Sequence, residues 1–138
     1  MAAKVEFEKD DGQVVHYLRH VNGGGLVAPG ARVHEGAWVA PTAYVEVGAR
    51  VGDRSRIADG SWLDHGVLVG EDVLVDRNVH LGPRTRVHNG ARIGAGARVG
   101  SDVVVGHGAR LPADAIVPDG TVVRRGARSG RSDFGIAA

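Results

Sequence analysis

The chain has 138 residues, enough for one compact core and too few for two comfortable ones. Its net charge of +1 gives no overall pull toward nucleic acid or an anionic membrane, although 15 of its 17 basic residues are arginine, so no membrane and no specific nucleic acid is expected as a partner. Cysteine is absent, which excludes disulfides, thiol nucleophiles and thiolate metal sites; with no stretch near 18 consecutive apolar residues and nothing like a signal peptide, the expected location is cytoplasmic.

Residues 1–26 read as an N-terminal hairpin and a glycine linker. Within residues 4–21, Val5 and Phe7 alternate with Glu6 and Glu8, and Asp10-Asp11-Gly12 is a hairpin turn signal. The hairpin is expected to cover the open N-terminal end, or one flank, of the unit that follows. Asn22-Gly23-Gly24-Gly25 joins the two.

Residues 27–128 carry a period of six. Every sixth residue from Val27 to Val123, 17 positions in all, is Val, Ile or Leu. This matches neither the 3.6 of a helix nor the simple alternation of a long strand. Four residues after each aliphatic comes a small or β-branched residue, from Ala31 through Ser55, Val67 and Thr85 to Ala127. One position before that, Gly, Asp or Asn fills 14 of 17 places, and these residues tolerate the positive φ of a sharp turn. The pattern predicts a short strand around each aliphatic and a corner two to three residues later. Three strands close a triangular coil of 18 residues, and about six coils stack at the parallel-strand spacing of about 4.8 Å.

The repeat is fullest at Val69-Gly70, Leu81-Gly82, Ile93-Gly94, Val99-Gly100 and Val105-Gly106. It resembles the bacterial hexapeptide-repeat (transferase hexapeptide) superfamily. The resemblance implies an all-β fold, a left-handed parallel β-helix, and a homotrimer. For function it implies several classes: acyltransferases using acyl-CoA or acyl-carrier protein, γ-class carbonic anhydrases, sugar-nucleotide enzymes, and scaffold subunits. Acyltransferases of the superfamily usually break the hexad count with a projecting loop, and here the register never slips between Val27 and Val123. The γ-class anhydrases require two histidines five residues apart; no pair here has that spacing, and no metal site is expected.

Residues 129–138 are expected to be a flexible basic tail, and the stretch Arg124–Ala138 is a candidate surface for a protein partner.

Histidine is the natural general base. His65 and His107 hold the same hexad position but stand on different edges more than two coils apart, so a solvated corner is the simpler reading of each. Serine offers no nucleophile, since Ser55 and Ser61 fall in the small inward column. The glycines of 87–100 serve turns rather than a phosphate loop.

Residues just before each aliphatic point outward and sort into three faces. One reads Leu26, Tyr44, Trp62, His80, Arg98, Ile116 and holds most of the scarce aromatics. Such a ladder suits an interface, either between copies of the chain or with the hairpin. It equally suits a ligand site in which His80 is the base, Asp64 orients it and Arg98 binds an anion. The arginines of the other faces are expected to be interleaved with acids such as Glu46, Asp53, Glu71, Asp72 and Asp76. With no insert and no converging acid–base groups evident, the leading expectation is a non-catalytic assembly or scaffold module without a cofactor. The alternative is a small acyltransferase dependent on acetyl-CoA, with its site at a subunit interface.

Overall fold

The computed structural model describes residues 4–8, 12 and 14–126. Asp10 and Asp11 of the hairpin turn, the side chains of Val5 and Phe7, and the tail from residue 127 onward lie outside them. Among the described residues every element is a strand. The hairpin is β1 (Lys4–Glu8) and β2 (Val14–Arg19), antiparallel, with Lys4 opposite Leu18 and Glu8 opposite Val14. Then come 17 strands of two residues each, from β3 (Leu26–Val27) to β19 (Val122–Val123), one every six residues.

These strands form three parallel sheets, the walls of a β-solenoid. The first wall contains β3, β6 (Tyr44–Val45), β9 (Trp62–Leu63), β12 (His80–Leu81), β15 (Arg98–Val99) and β18 (Ile116–Val117). The second has six strands, from Arg32–Val33 to β19, and the third has five, from Trp38–Val39 to Arg110–Leu111. Seventeen strands on three walls make five full turns and two further strands, and the pairing steps by 18 residues throughout, as in Tyr44↔Trp62↔His80↔Arg98. Backbone hydrogen bonds join each coil to the next, for example Trp62 N–H to Val79 O at 2.8 Å and Asp64 N–H to Leu81 O at 3.0 Å.

The second residue of each strand points inward and builds the core. From Val39 to Val123 all of these aliphatics are buried, and so is the small column from Ala37 to Thr121. Where that column is polar, the coil supplies partners: the Ser61 hydroxyl donates to Asp76 O at 2.6 Å and accepts from Val79 N–H at 3.1 Å, and Ser55 does the same with Gly70 O and Val73 N–H. A hydroxyl thus sits inside the prism without leaving a polar atom unpaired.

Corners take the left-handed conformation at most of the positions marked by the turn column, with Gly66 at φ 70° as one instance. Arg54 and Arg84 break the residue preference there and still have φ 58° and 62°. Each guanidinium forks onto the aspartate one coil on, Arg54 to Asp72 at 2.9 and 3.1 Å and Arg84 to Asp102 at 2.9 and 3.1 Å. Asp53 and Glu71 also meet Arg54; these are corner arginines, not the outward arginines of the other two walls for which interleaved acids were expected.

The hairpin continues the first wall. β2 pairs antiparallel with β3, Leu18 opposite Val27 and Arg19 opposite Leu26, so it extends that sheet to eight strands. Leu26 stands on the outward face for which the hairpin was one of the expected partners, and it is buried because Tyr17 of the hairpin closes over it together with Ala28 and Tyr44. No described helix is long and apolar enough to cross a membrane.

Leu81 is fully buried and Ile116 is 76% exposed, although both are large aliphatics of the first wall. Leu81→Ala is expected to lower stability by about 2–5 kcal/mol, whereas Ile116→Ser should change it by no more than about 0.5 kcal/mol, both read from urea unfolding midpoints.

Candidate functional site

The outward column of the first wall places Tyr44, Trp62, His80 and Arg98 one above the other, a coil apart. Beside it runs a second column, one step beyond each inward aliphatic: Ala28, Glu46, Asp64, Gly82, Gly100. The carboxylates of this second column reach diagonally across to the next coil. Glu46 Oε2 accepts from Trp62 Nε1–H at 2.8 Å, and Asp64 Oδ2 accepts from His80 Nε2–H at 3.2 Å. Both links span 16 residues. The Trp62 and His80 rings stack with centroids 4.3 Å apart and planes 17° from parallel.

Asp64 lies between two histidines. Its Oδ1 accepts from the His65 backbone N–H at 2.8 Å and from the His65 ring at Nδ1, 3.0 Å. Burial works to raise its pKa, but the bonds from the His65 backbone, the His80 ring and the His65 ring outweigh it, and the carboxyl is held below its ordinary value. An ionised carboxylate only accepts, so each ring nitrogen facing it must carry the proton. In the neutral His80 ring that leaves Nδ1 with the lone pair. In His65 it leaves Nε2, which meets the Arg84 guanidinium at 3.5 Å. The two rings therefore differ: His65 Nε2 faces the Arg84 guanidinium, while among the described residues His80 has no hydrogen bond to a cation.

At the hairpin end, the Tyr17 hydroxyl donates to Glu46 Oε1 at 2.8 Å, and its ring meets Tyr44 edge-on at 5.6 Å and 81°. Burial first, then the bond and charge of Glu46, push the Tyr17 hydroxyl up, so it stays a protonated donor. At the other end the diagonal stops, because position 82 is glycine and offers Arg98 no carboxylate. Arg98 is exposed and has no ion pair among the described residues. Two open grooves flank the stacked Trp62–His80 pair. One, of about 590 Å³, runs along the hairpin past Glu46, Asp64 and His65. The other, of about 540 Å³, runs past His80, Arg84, Arg98 and Ser101.

Of the residues singled out from the sequence, Tyr44, Trp62, His80 and Asp64 come together, Arg98 borders them, and His65 joins through Asp64. His107 is exposed on another edge and takes no part. Sequence reasoning missed Tyr17, Arg84 and the role of Glu46, which was read as a counter-charge for arginine. The 16-residue diagonal was the available signal, since Glu46–Trp62 and Asp64–His80 repeat it. Among the described residues no group of three His, Asp or Glu converges as a metal site would require.

Residues 66–101 match the family model described as bacterial transferase hexapeptide (six repeats). The chain fits the hexapeptide-repeat superfamily. Among solved structures it is similar to PerB of Caulobacter crescentus, a perosamine N-acetyltransferase in complex with CoA and GDP-perosamine, at 29% identity over 72% of this chain and 48% of that one, TM-score 0.71. It is also similar to the acetyltransferase domain of PglB from Neisseria gonorrhoeae in complex with acetyl coenzyme A, at 29% identity over 71% of this chain and 53% of that one, TM-score 0.54. The hexapeptide-repeat chain spans about half the length of these proteins. No curated protein matches it in sequence.

The bonds to Asp64 favour its charged form, so their contribution to stability is complete above the ordinary carboxylate range and is lost as pH falls through the lowered folded value. The stability advantage of the wild type over Asp64→Asn should therefore shrink below about pH 4. In the neutral form of the ring, nitrogen NMR should find the His80 proton on Nε2, and a mixture of tautomers in Asp64→Asn.

Proposed function

We propose that this chain is the β-solenoid of an acyltransferase that moves an acyl group from CoA to an amine, with His80 as the general base. The observation that carries the reading is the His80–Asp64 pair, in which a carboxylate fixes the ring tautomer and leaves Nδ1 to accept a proton on an open face. The likeness to two acetyltransferases with bound CoA or acetyl-CoA supports it over a non-catalytic scaffold.

Bound acetyl-CoA would supply the acyl group as an activated thioester. The groove past His80 suits an anionic ligand of this kind: Arg98 has no ion pair among the described residues and stands one coil from the base. His80 Nδ1 takes the proton of the attacking amine, Asp64 stabilises the imidazolium that forms, and Trp62 keeps the ring in plane through its stack. His65, whose second nitrogen faces Arg84, helps hold Asp64 rather than acting as the base.

The homotrimer belongs to this reading as well, with a neighbouring copy closing the groove along the first wall. A scaffold role keeps one observation in its favour: no loop projects from the coils between β3 and β19.

His80→Ala should lower kcat/KM for acetyl transfer to an amine by about 10²–10⁴-fold, followed as release of the CoA thiol. Arg98→Ala should instead raise the KM for acetyl-CoA with little change in kcat. Full activity in His80→Ala would overturn the assignment of the base, and calorimetry with no CoA binding to the intact oligomer would return the chain to the scaffold reading.

A further inference from the structure

The hairpin end of the first wall holds a feature that proton abstraction at His80 does not use. Tyr17, Tyr44 and Trp62 line an opening of about 330 Å³, and among the described residues Glu46 is the one charged group that lines it. The three rings come from two parts of the chain: Tyr44 and Trp62 are successive rungs of the wall, and Tyr17 is brought over them by the pairing of β2 with β3. Tyr17 and Tyr44 meet edge to face, and one face of Trp62 is already covered by His80. Glu46 spans the rings, with Tyr17 on one oxygen and Trp62 on the other.

The hydroxyl and the indole N–H are both neutral donors, so they orient the carboxylate without cancelling its charge. One coil on, in the same column, stands the second carboxylate, Asp64. Its hydrogen bonds hold it ionised. Aromatic faces present negative charge to whatever lies over them. Rings around a fixed carboxylate make a place where a positive charge is favoured, and where a bulky, weakly hydrated cation is favoured most.

We propose that Tyr17, Tyr44, Trp62 and Glu46 form a binding site for an organic ammonium group. A neutral ligand of the same shape would gain the apolar contact and forfeit the rest. An anion would be repelled by Glu46. The site lies on the other side of Trp62 from His80, so a molecule anchored here by an alkylammonium group reaches the base by passing one indole ring. Its consequence for acyl transfer, a preference for acceptors that carry a second positive charge, rests on the function proposed above; the binding itself does not.

The test uses choline as the probe and the full chain carrying Trp38→Phe. Trp38 stacks on Arg56 on another wall, and removing it leaves Trp62 as the only indole. Choline should change Trp62 fluorescence saturably, and the neutral isostere 3,3-dimethyl-1-butanol should bind at least about tenfold more weakly. Glu46→Gln and Tyr44→Leu should each weaken choline binding by about fivefold or more, and Tyr44→Phe, which keeps the ring, should retain it. Equal binding of the neutral alcohol, or no saturable response to choline in a folded protein, would overturn the proposal. Because choline binding needs no turnover, choline bound without any acyl transfer would leave the site standing and remove the proposed activity. Acyl transfer with no choline bound would do the reverse.

Discussion

Each coil closes after 18 residues, and hydrogen bonds between coils lock residue i beneath residue i + 18. From that one constraint the rest follows. It turns a linear repeat into columns, so that a single residue choice is felt only by the rungs above and below it. Burial of one aliphatic and one small residue per hexad fills the prism with almost no aromatic side chains, and Ser55, Ser61 and Thr85 of the small column are satisfied inside because the next coil offers each a carbonyl and an N–H, while Thr121 turns back to Pro118 O.

The candidate site grows out of the same lattice. No loop departs from the coils to build it. Two columns on one wall, one outward and one just past the inward aliphatic, are offset so that a carboxylate reaches the ring one coil on. Repeated twice, this diagonal gives Glu46–Trp62 and Asp64–His80, and the ring stack ties the two together. Where the column turns to glycine at position 82, the diagonal ends and Arg98 is left without an acid. The wall is therefore negative toward the hairpin and positive beyond His80, an asymmetry set by three residues in one column.

Most of the fold was legible because its signal is repeated 17 times, and a repeated signal survives exceptions. Arg54 and Arg84 at positive φ did not disturb it; their aspartate partners compensate locally, and nothing in their own identity announced them. The aromatic ladder was legible for the same reason, since counting by 18 places Tyr44, Trp62 and His80 together. What counting could not supply was direction around a corner. Glu46 could equally have turned toward an arginine, and only the packed geometry sends it to Trp62 and Tyr17. The hairpin carries no hexad, so neither its pairing with β3 nor the burial of Leu26 beneath Tyr17 followed from the period. His65 was judged against His107, far away, when its partner was the adjacent Asp64.

The coil rise also makes the site adjustable only in fixed steps. Duplicating one complete 18-residue turn between His80 and Arg98 would move the guanidinium along the axis by about 4.8 Å and keep it in the same column. Any shorter insertion there would carry Arg98 out of the column that holds His80, while both diagonals, which lie before it in the chain, would stay in place. The reach between proton acceptor and anion anchor is in this sense quantised, and a lineage of such solenoids would tune itself to longer or shorter ligands by gaining and losing whole turns rather than by drifting through intermediate lengths.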